Sequence, residues 1–214
     1  MRKLILTAAA AALAAGASAQ NNSTGSDSGQ VDARRNGAAS AAMDMAAGPV
    51  GGSMTAAEVG TAPMTNVSAP EYVQKAADSD LYEMTSSKFV LGRTKNPEVR
   101  RYAQDMIRHH TMTTQELKRA VKQSRAPKPP TKLTTEKEGL LAQLRTSGQG
   151  ANLDRTYMQQ QAQSHQQAWA LHKGYYETGT DQPLRAAAGK AVPIVEQHIR
   201  DARRIQAGLP AAGM

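Results

Sequence analysis

The chain has 214 residues, no cysteine, 26 Lys and Arg against 18 Asp and Glu, one Phe and one Trp. Without cysteine there are no disulfides and no thiolate metal ligands, so folding rests on core packing and a metal would have to be held by His, Asp, Glu or Met. The formal charge of +8 is carried by scattered Lys and Arg, the pattern of a solvated helix face; nucleic acid is excluded as a partner because stacking aromatics among the basic residues are missing, which leaves weak contacts with anionic envelope components.

Residues 1–19 read as a signal peptide. Arg2 and Lys3 precede the apolar stretch Leu4 to Ala15, and Ala17-Ser18-Ala19 is a small-residue cleavage signal. The apolar stretch is shorter than the roughly 20 residues a spanning helix needs. The expected product is exported, periplasmic or outer-membrane associated, after cleavage near Ala19-Gln20. Residues 20–67 are rich in Gly, Ala, Ser, Asn and Thr and contain no aromatic, so they are expected to be a disordered low-complexity linker. Met43, Met45, Met54 and Met64 lie in it; thioethers suit copper(I), although an Ala-rich linker accommodates methionines without using them.

From residue 68 the pattern turns helical and runs to about 207, with 208–214 expected as a flexible tail. Ser68-Ala-Pro-Glu71 is a capping box, and small and apolar residues recur to Leu91 before Gly92. Asn96-Pro97-Glu98 starts a second helix to about Arg125, whose inward stripe is Val99, Tyr102/Ala103, Met106, His110, Thr113, Leu117 and Val121. The prolines of Ala126-Pro-Lys-Pro-Pro130 end it. Thr135-x-x-Glu138 opens a short helix with Leu140, Leu141 and Leu144. A long helix from about Asn152 to Glu177 carries Leu153, Tyr157, Met158, Ala162, His165, Trp169 and His172 near one face. The turn Gly179-Thr180-Asp181 leads to a last helix through about Gln206, with His198 on its inward stripe and Pro193 expected to kink it. Alternating β-branched runs are absent. The fold class is therefore all-α, a helix bundle with one longer crossover that carries a short extra helix.

Each of three inward stripes holds one histidine near mid-helix: His110, His165 and His198. The first helix holds Glu83 near its middle, with Asp80 and Ser87 close to the same face. One ligand per helix projecting inward is how bundles build metal sites. One carboxylate and three imidazoles admit a single zinc, iron or copper ion. His109, about 100° round the helix from His110, is expected to face solvent or a groove edge, at most as an accessory ligand. Glu196, two residues before His198, is expected to be a surface acid, and Trp169 and the tyrosines to be core or boundary packing.

Tyr72-Val73…Ala76-Ala77…Glu83, Asn96-Pro97-Glu98-Val99…Tyr102-Ala103…Met106…His110, Asp154…Tyr157…His165 and Val192-Pro193…Glu196-Gln197-His198 together resemble the bacterial domain-of-unknown-function family 4142. Its members are often labelled outer-membrane or exported proteins, and the resemblance covers about Tyr72 to Ile205. It implies a ferritin-like four-helix bundle and a candidate site, and no reaction. The family usually has an acid before the second-helix histidine, where this chain has His109.

A di-iron oxidase or ferroxidase is disfavoured. Its site needs Glu-x-x-His on two helices, yet Ile107 stands three before His110 and Val195 three before His198. Two readings remain. One is a bundle holding a mononuclear metal or small ligand at Glu83, His110, His165 and His198. The other is a non-enzymatic envelope or stress interaction protein whose buried His/Glu layer only orders the core. The oligomeric state is open.

Overall fold

A computed structural model describes residues 52–211. They form six helices, and there is no strand among the described residues. The helices are α1 (Ala56–Val59), α2 (Ala69–Leu91), α3 (Pro97–Gln123), α4 (Thr135–Thr146), α5 (Ala151–Thr178) and α6 (Gln182–Gly208). The expected signal peptide and the expected linker up to residue 51 lie outside the described residues.

Helix starts follow local chemistry. Ser68 Oγ accepts from the Glu71 amide, and Asn96 Oδ1 accepts from the Glu98 and Val99 amides, with Pro70 and Pro97 in the first turns. Asp181 Oδ1 caps α6 at the Leu184 amide. The cap of α4 is Thr134, one residue before the expected Thr135; its hydroxyl and amide also donate to Asp78, which anchors the crossover to α2. α6 runs through Pro193 without interruption. The carbonyl that a proline ring would crowd belongs to Gly189.

The four long helices form a square in which α2 touches α3 and α5, and α6 touches the same two. The core has two end clusters. One joins Tyr82 and Val90 of α2, Val99, Tyr102 and Met106 of α3, Leu153 and Tyr157 of α5, Ala202 and Ile205 of α6, and Leu141 and Leu144 of α4. The other joins Tyr72 and Val73, Leu117 and Val121, Leu171 and Tyr175, and Leu184 and Ala188. The C-terminal half of α2 thus meets the N-terminal half of α3, so these two are antiparallel, while α3 and α5 run the same way on a diagonal. Residues 124–150 return the chain along the bundle between them and carry α4. This is the expected bundle with one long crossover.

Two expected boundaries are corrected. Residues 52–67 were expected within a disordered linker, but they form an ordered strap on the α5–α6 seam. Thr55 and Glu58 make a reciprocal capping box for α1. Met54 and Val59 are buried against Trp169, Val192, Val195 and Ile199. The Met64 amide donates to the Ala170 carbonyl (2.8 Å), and Arg203 donates to the Glu58 and Val59 carbonyls. Composition averaged over the linker conceals three apolar anchors and one cap. At the other end, Gly208 still belongs to α6, Leu209 packs on the first cluster, and Pro210 accepts from Arg155 (2.7 Å), so the chain stays attached beyond 207.

Candidate functional site

Between the two apolar clusters, at mid-length of the bundle, lies a polar layer. Asp80 and Glu83 enter it from α2, His110 from α3, His165 from α5 and His198 from α6, and all five are buried. Each sits near the middle of its helix on the buried face, where helical periodicity aims it at the axis; on α2 and α5 that face also buries polar residues such as Ser86, Ser87, Gln161 and Ser164.

The three imidazoles converge. One ring nitrogen from each of His110, His165 and His198 lies within 4.8 Å of the others. His165 Nε2 is 3.4 Å from His110 Nε2 and 3.1 Å from His198 Nδ1. Metal–nitrogen bonds of about 2.0–2.1 Å at the tetrahedral angle set donors about 3.3–3.4 Å apart, and the two separations from His165 Nε2 are close to that edge length. The outward nitrogens are engaged as well. His110 Nδ1 donates to Asp80 Oδ1 (2.8 Å), His165 Nδ1 donates to the Gln161 carbonyl (2.8 Å), and His198 Nε2 is 2.8 Å from His109 Nδ1. Such outer partners fix ring orientation and tautomer in metal sites. Asp80 is itself held, accepting from Thr113 Oγ1 and Thr114 Oγ1 at 2.9 Å each.

Electrostatics keep the cluster largely neutral. Burial pushes His165 down to about 3, with the neighbouring His110 charge adding to the effect. His198 is held well below its ordinary value by burial and then by its three histidine neighbours. His109 is lowered by burial and by Arg108. His110 behaves oppositely. Burial lowers it, but the hydrogen bond and charge of Asp80, with Glu83 adding, outweigh burial and raise it. Neutral imidazole is the form that binds a metal.

Glu83 is buried but does not join the three-nitrogen group. Neither of its carboxylate oxygens has a hydrogen-bond partner, nor does Oε1 of Gln161. Burial pushes Glu83 up to about 7, against the pull of His110, Lys137 and the adjacent Gln161 amide. Turning that amide end for end would let it donate to Glu83 and accept from Ser86. One Glu83 oxygen would still be unsatisfied, and a buried carboxylate in that condition calls for a proton or a cation.

His109 is half-buried, as at a groove edge, and its ring lies edge to edge with that of His198, nearly coplanar and with centroids 5.1 Å apart. One expectation about an individual residue fails. Glu196 is buried, not a surface acid; it accepts from Trp169 Nε1 and Ser53 Oγ, each at 3.1 Å, and ties the strap to α5 and α6. His172 lies apart from the cluster, bonded to Tyr72 Oη (3.1 Å) in the second apolar cluster. Asp80 is a site residue that sequence reasoning named only as a neighbour of Glu83. The available signal was its position one turn before Glu83 on the same face.

Residues 54–205 match the model of a family described as Domain of unknown function (DUF4142). The match takes in the strap as well as the four-helix square. No curated protein matches the chain. Among solved structures, the chain is similar to a crystal structure described as that of a DUF305 secreted protein from Streptomyces coelicolor. The TM-score is 0.53 at 21% identity, over 69% of this chain and 98% of that one. At that identity the likeness carries the helical fold alone.

Proposed function

This chain belongs to the domain-of-unknown-function family DUF4142, and we propose that it is an exported protein whose bundle core holds one transition-metal ion on His110 Nε2, His165 Nε2 and His198 Nδ1. The observation that carries the reading is the convergence of three ring nitrogens within 4.8 Å of one another, His165 Nε2 lying 3.4 and 3.1 Å from the other two, with each opposite nitrogen engaged by Asp80, the Gln161 carbonyl or His109. Zinc, iron or copper fits the donor type. Glu83, orphaned beside the cluster, supplies the negative charge that a cation there would balance. Bound at this place, the ion would bring Lewis acidity or, for iron or copper, a redox couple; the chain's residues hold it and exclude water. A di-iron centre fits poorly, because Asp80 is committed to His110 and two threonines and only Glu83 is left as a carboxylate.

Export is supported by the leader pattern of residues 1–19 and by the description of the similar DUF305 chain as secreted. No helix among the described residues is long and apolar enough to cross a membrane. A periplasmic or outer-membrane location, with cleavage near Ala19-Gln20, belongs to the same proposal.

One observation favours a second reading, in which the layer only orders the core. Every ring nitrogen of His110, His165 and His198 already finds a neighbour within hydrogen-bond reach. Elemental analysis of untagged protein from the exported fraction, followed by Co²⁺ titration, separates the two. The metal reading expects about one ion per chain and a cobalt absorption band that His165→Ala abolishes. Metal below about a tenth of an equivalent, with no uptake on titration, leaves the polar layer as the function of these residues.

A further inference from the structure

We propose that Arg108 and His109 form a surface latch on the histidine cluster, and that this latch must reverse before a metal ion takes His198. The inference rests on the metal reading above and concerns how that site is regulated.

The two ends of a hydrogen-bond chain set its direction. The Gln161 carbonyl only accepts, so His165 carries its proton on Nδ1, and the neutral ring leaves Nε2 bare. The Arg108 guanidinium only donates, and its Nη2 lies 3.2 Å from His109 Nε2, so that nitrogen is bare and the His109 proton is on Nδ1. His109 Nδ1–H then donates to His198 Nε2 (2.8 Å), which places the His198 proton on Nδ1, and this donates to His165 Nε2 (3.1 Å). Both ends demand the same polarity. Four hydrogen bonds run one way, from an exposed arginine to a core carbonyl.

This polarity matters at the cluster. Of the three converging nitrogens, His165 Nε2 and, in the neutral ring, His110 Nε2 present lone pairs, but His198 Nδ1 presents a proton. A metal needs a lone pair there. His198 must therefore take the His109 Nδ1 proton onto its Nε2 along their hydrogen bond, so that Nε2 donates back to His109 Nδ1 while Nδ1 gives up its own proton. His109 becomes an acceptor at Nδ1 and carries its proton on Nε2, where it opposes the Arg108 donor. Arg108 must leave, and its pairing with Asp105 (2.9 Å) gives it a place to stay. All the rings remain neutral. One proton leaves His198 Nδ1 with the water released by the incoming hydrated ion, and one enters His109 Nε2 from solvent. Occupancy of a buried site is thereby written on the exposed surface of α3. Arg108 opposes metal binding, whereas His109, as the acceptor for His198, supports it.

The test uses the mature full chain with Zn²⁺ and Co²⁺ as probes. Nitrogen NMR of the metal-free protein should find His109, His165 and His198 all protonated on Nδ1; with Zn²⁺ bound, His109 and His198 should switch to Nε2 while His165 stays. In about 0.5 M salt, where exposed charges are screened, Arg108→Gln should bind Zn²⁺ about three- to tenfold more tightly, the worth of one hydrogen bond. His109→Ala should bind about tenfold more weakly, as loss of an outer-shell partner does, with partial rescue by His109→Gln. Arg108 is exposed, so its replacement spares the fold. A metal-free His198 protonated on Nε2, or an Arg108→Gln affinity equal to or below wild type, overturns the latch while the metal site stands. No uptake by the wild-type chain overturns the metal reading, and the latch with it.

Discussion

Removing the Asp80 side chain is expected to damage stability and metal affinity separately, and by amounts the geometry sets. In the folded chain its carboxylate takes three donors from α3: His110 Nδ1, Thr113 Oγ1 and Thr114 Oγ1. Asp80→Ala strands the His110 N–H in a fully buried place, which costs about 1–3 kcal/mol. The threonine hydroxyls suffer less. Thr113 already reaches the His110 carbonyl at 3.2 Å, and both residues are only partly buried. A total of about 2–4 kcal/mol lowers the melting temperature of a domain this size by roughly 5–15 °C. The assay is a thermal melt by circular dichroism in a chelator at pH 7, repeated with zinc. Asp80→Asn keeps the shape and an acceptor but not the charge, so it should melt closer to wild type while zinc affinity falls about 10- to 100-fold. The pH dependence has a definite sign. Asp80 holds His110 above its unfolded value of 6.5, so in metal-free protein the charged pair stabilises fully below that value. The contribution fades as pH rises through the higher folded value, and the gap between wild type and Asp80→Asn should narrow there. An Asp80→Ala protein melting within about 2 °C of wild type, or an Asp80→Asn protein with unchanged zinc affinity, would refute the role given to this carboxylate.

Away from the cluster, His172 is buried and pushed down to about 4 by burial, so the unfolded chain binds its proton first and stability falls as pH drops from about 6.5 toward 4. In urea titrations at pH 7 and 4.5, His172→Gln should lose about 2–3 kcal/mol less than wild type between the two, and equal losses would contradict the assignment. A Cβ at Gly174 would overlap the Met64 carbonyl, so Gly174→Ala should lift the strap at a cost of about 1–3 kcal/mol. The readout is the emission of Trp169, the chain's single tryptophan, which should shift to the red as Met54 and Val59 leave it; unchanged emission would mean that the strap seals the seam by other contacts.

Much of the architecture was legible because four long helices, three of them with side-chain caps, leave few alternatives. Asn96-Pro97-Glu98, Asp181 and the proline run after Ala126 mark boundaries whose chemistry is local, and the observed helices keep to them within a residue or two. The three histidines were legible for the same reason, since each occupies an inward position of its own stripe. What periodicity missed are residues at the flank of a stripe. A helix in a four-helix square has two neighbours and buries more than one narrow stripe. His109, about 100° from His110, still meets α6, and Glu196, nearly opposite His198 on its helix, meets Trp169 and the strap. The strap itself was obscured because a segment that docks by three side chains has the composition of a linker.

The doublet His109-His110 shows what this difference in position does. His110 faces the axis, and its outer nitrogen is paired with an acid, so its ring is fixed whatever else the core holds. His109 faces the next helix, and its outer nitrogen is paired with an exposed arginine, so its state can change with solvent. Adjacent positions on α3 thus give the cluster one fixed partner and one reversible partner. An acid at position 109 would accept from His198 Nε2 directly and hold that ring in the metal-ready tautomer. His109→Glu should therefore bind zinc more tightly than wild type and lose the tautomer switch. Weaker binding by that variant would mean that position 109 does not govern His198 at all.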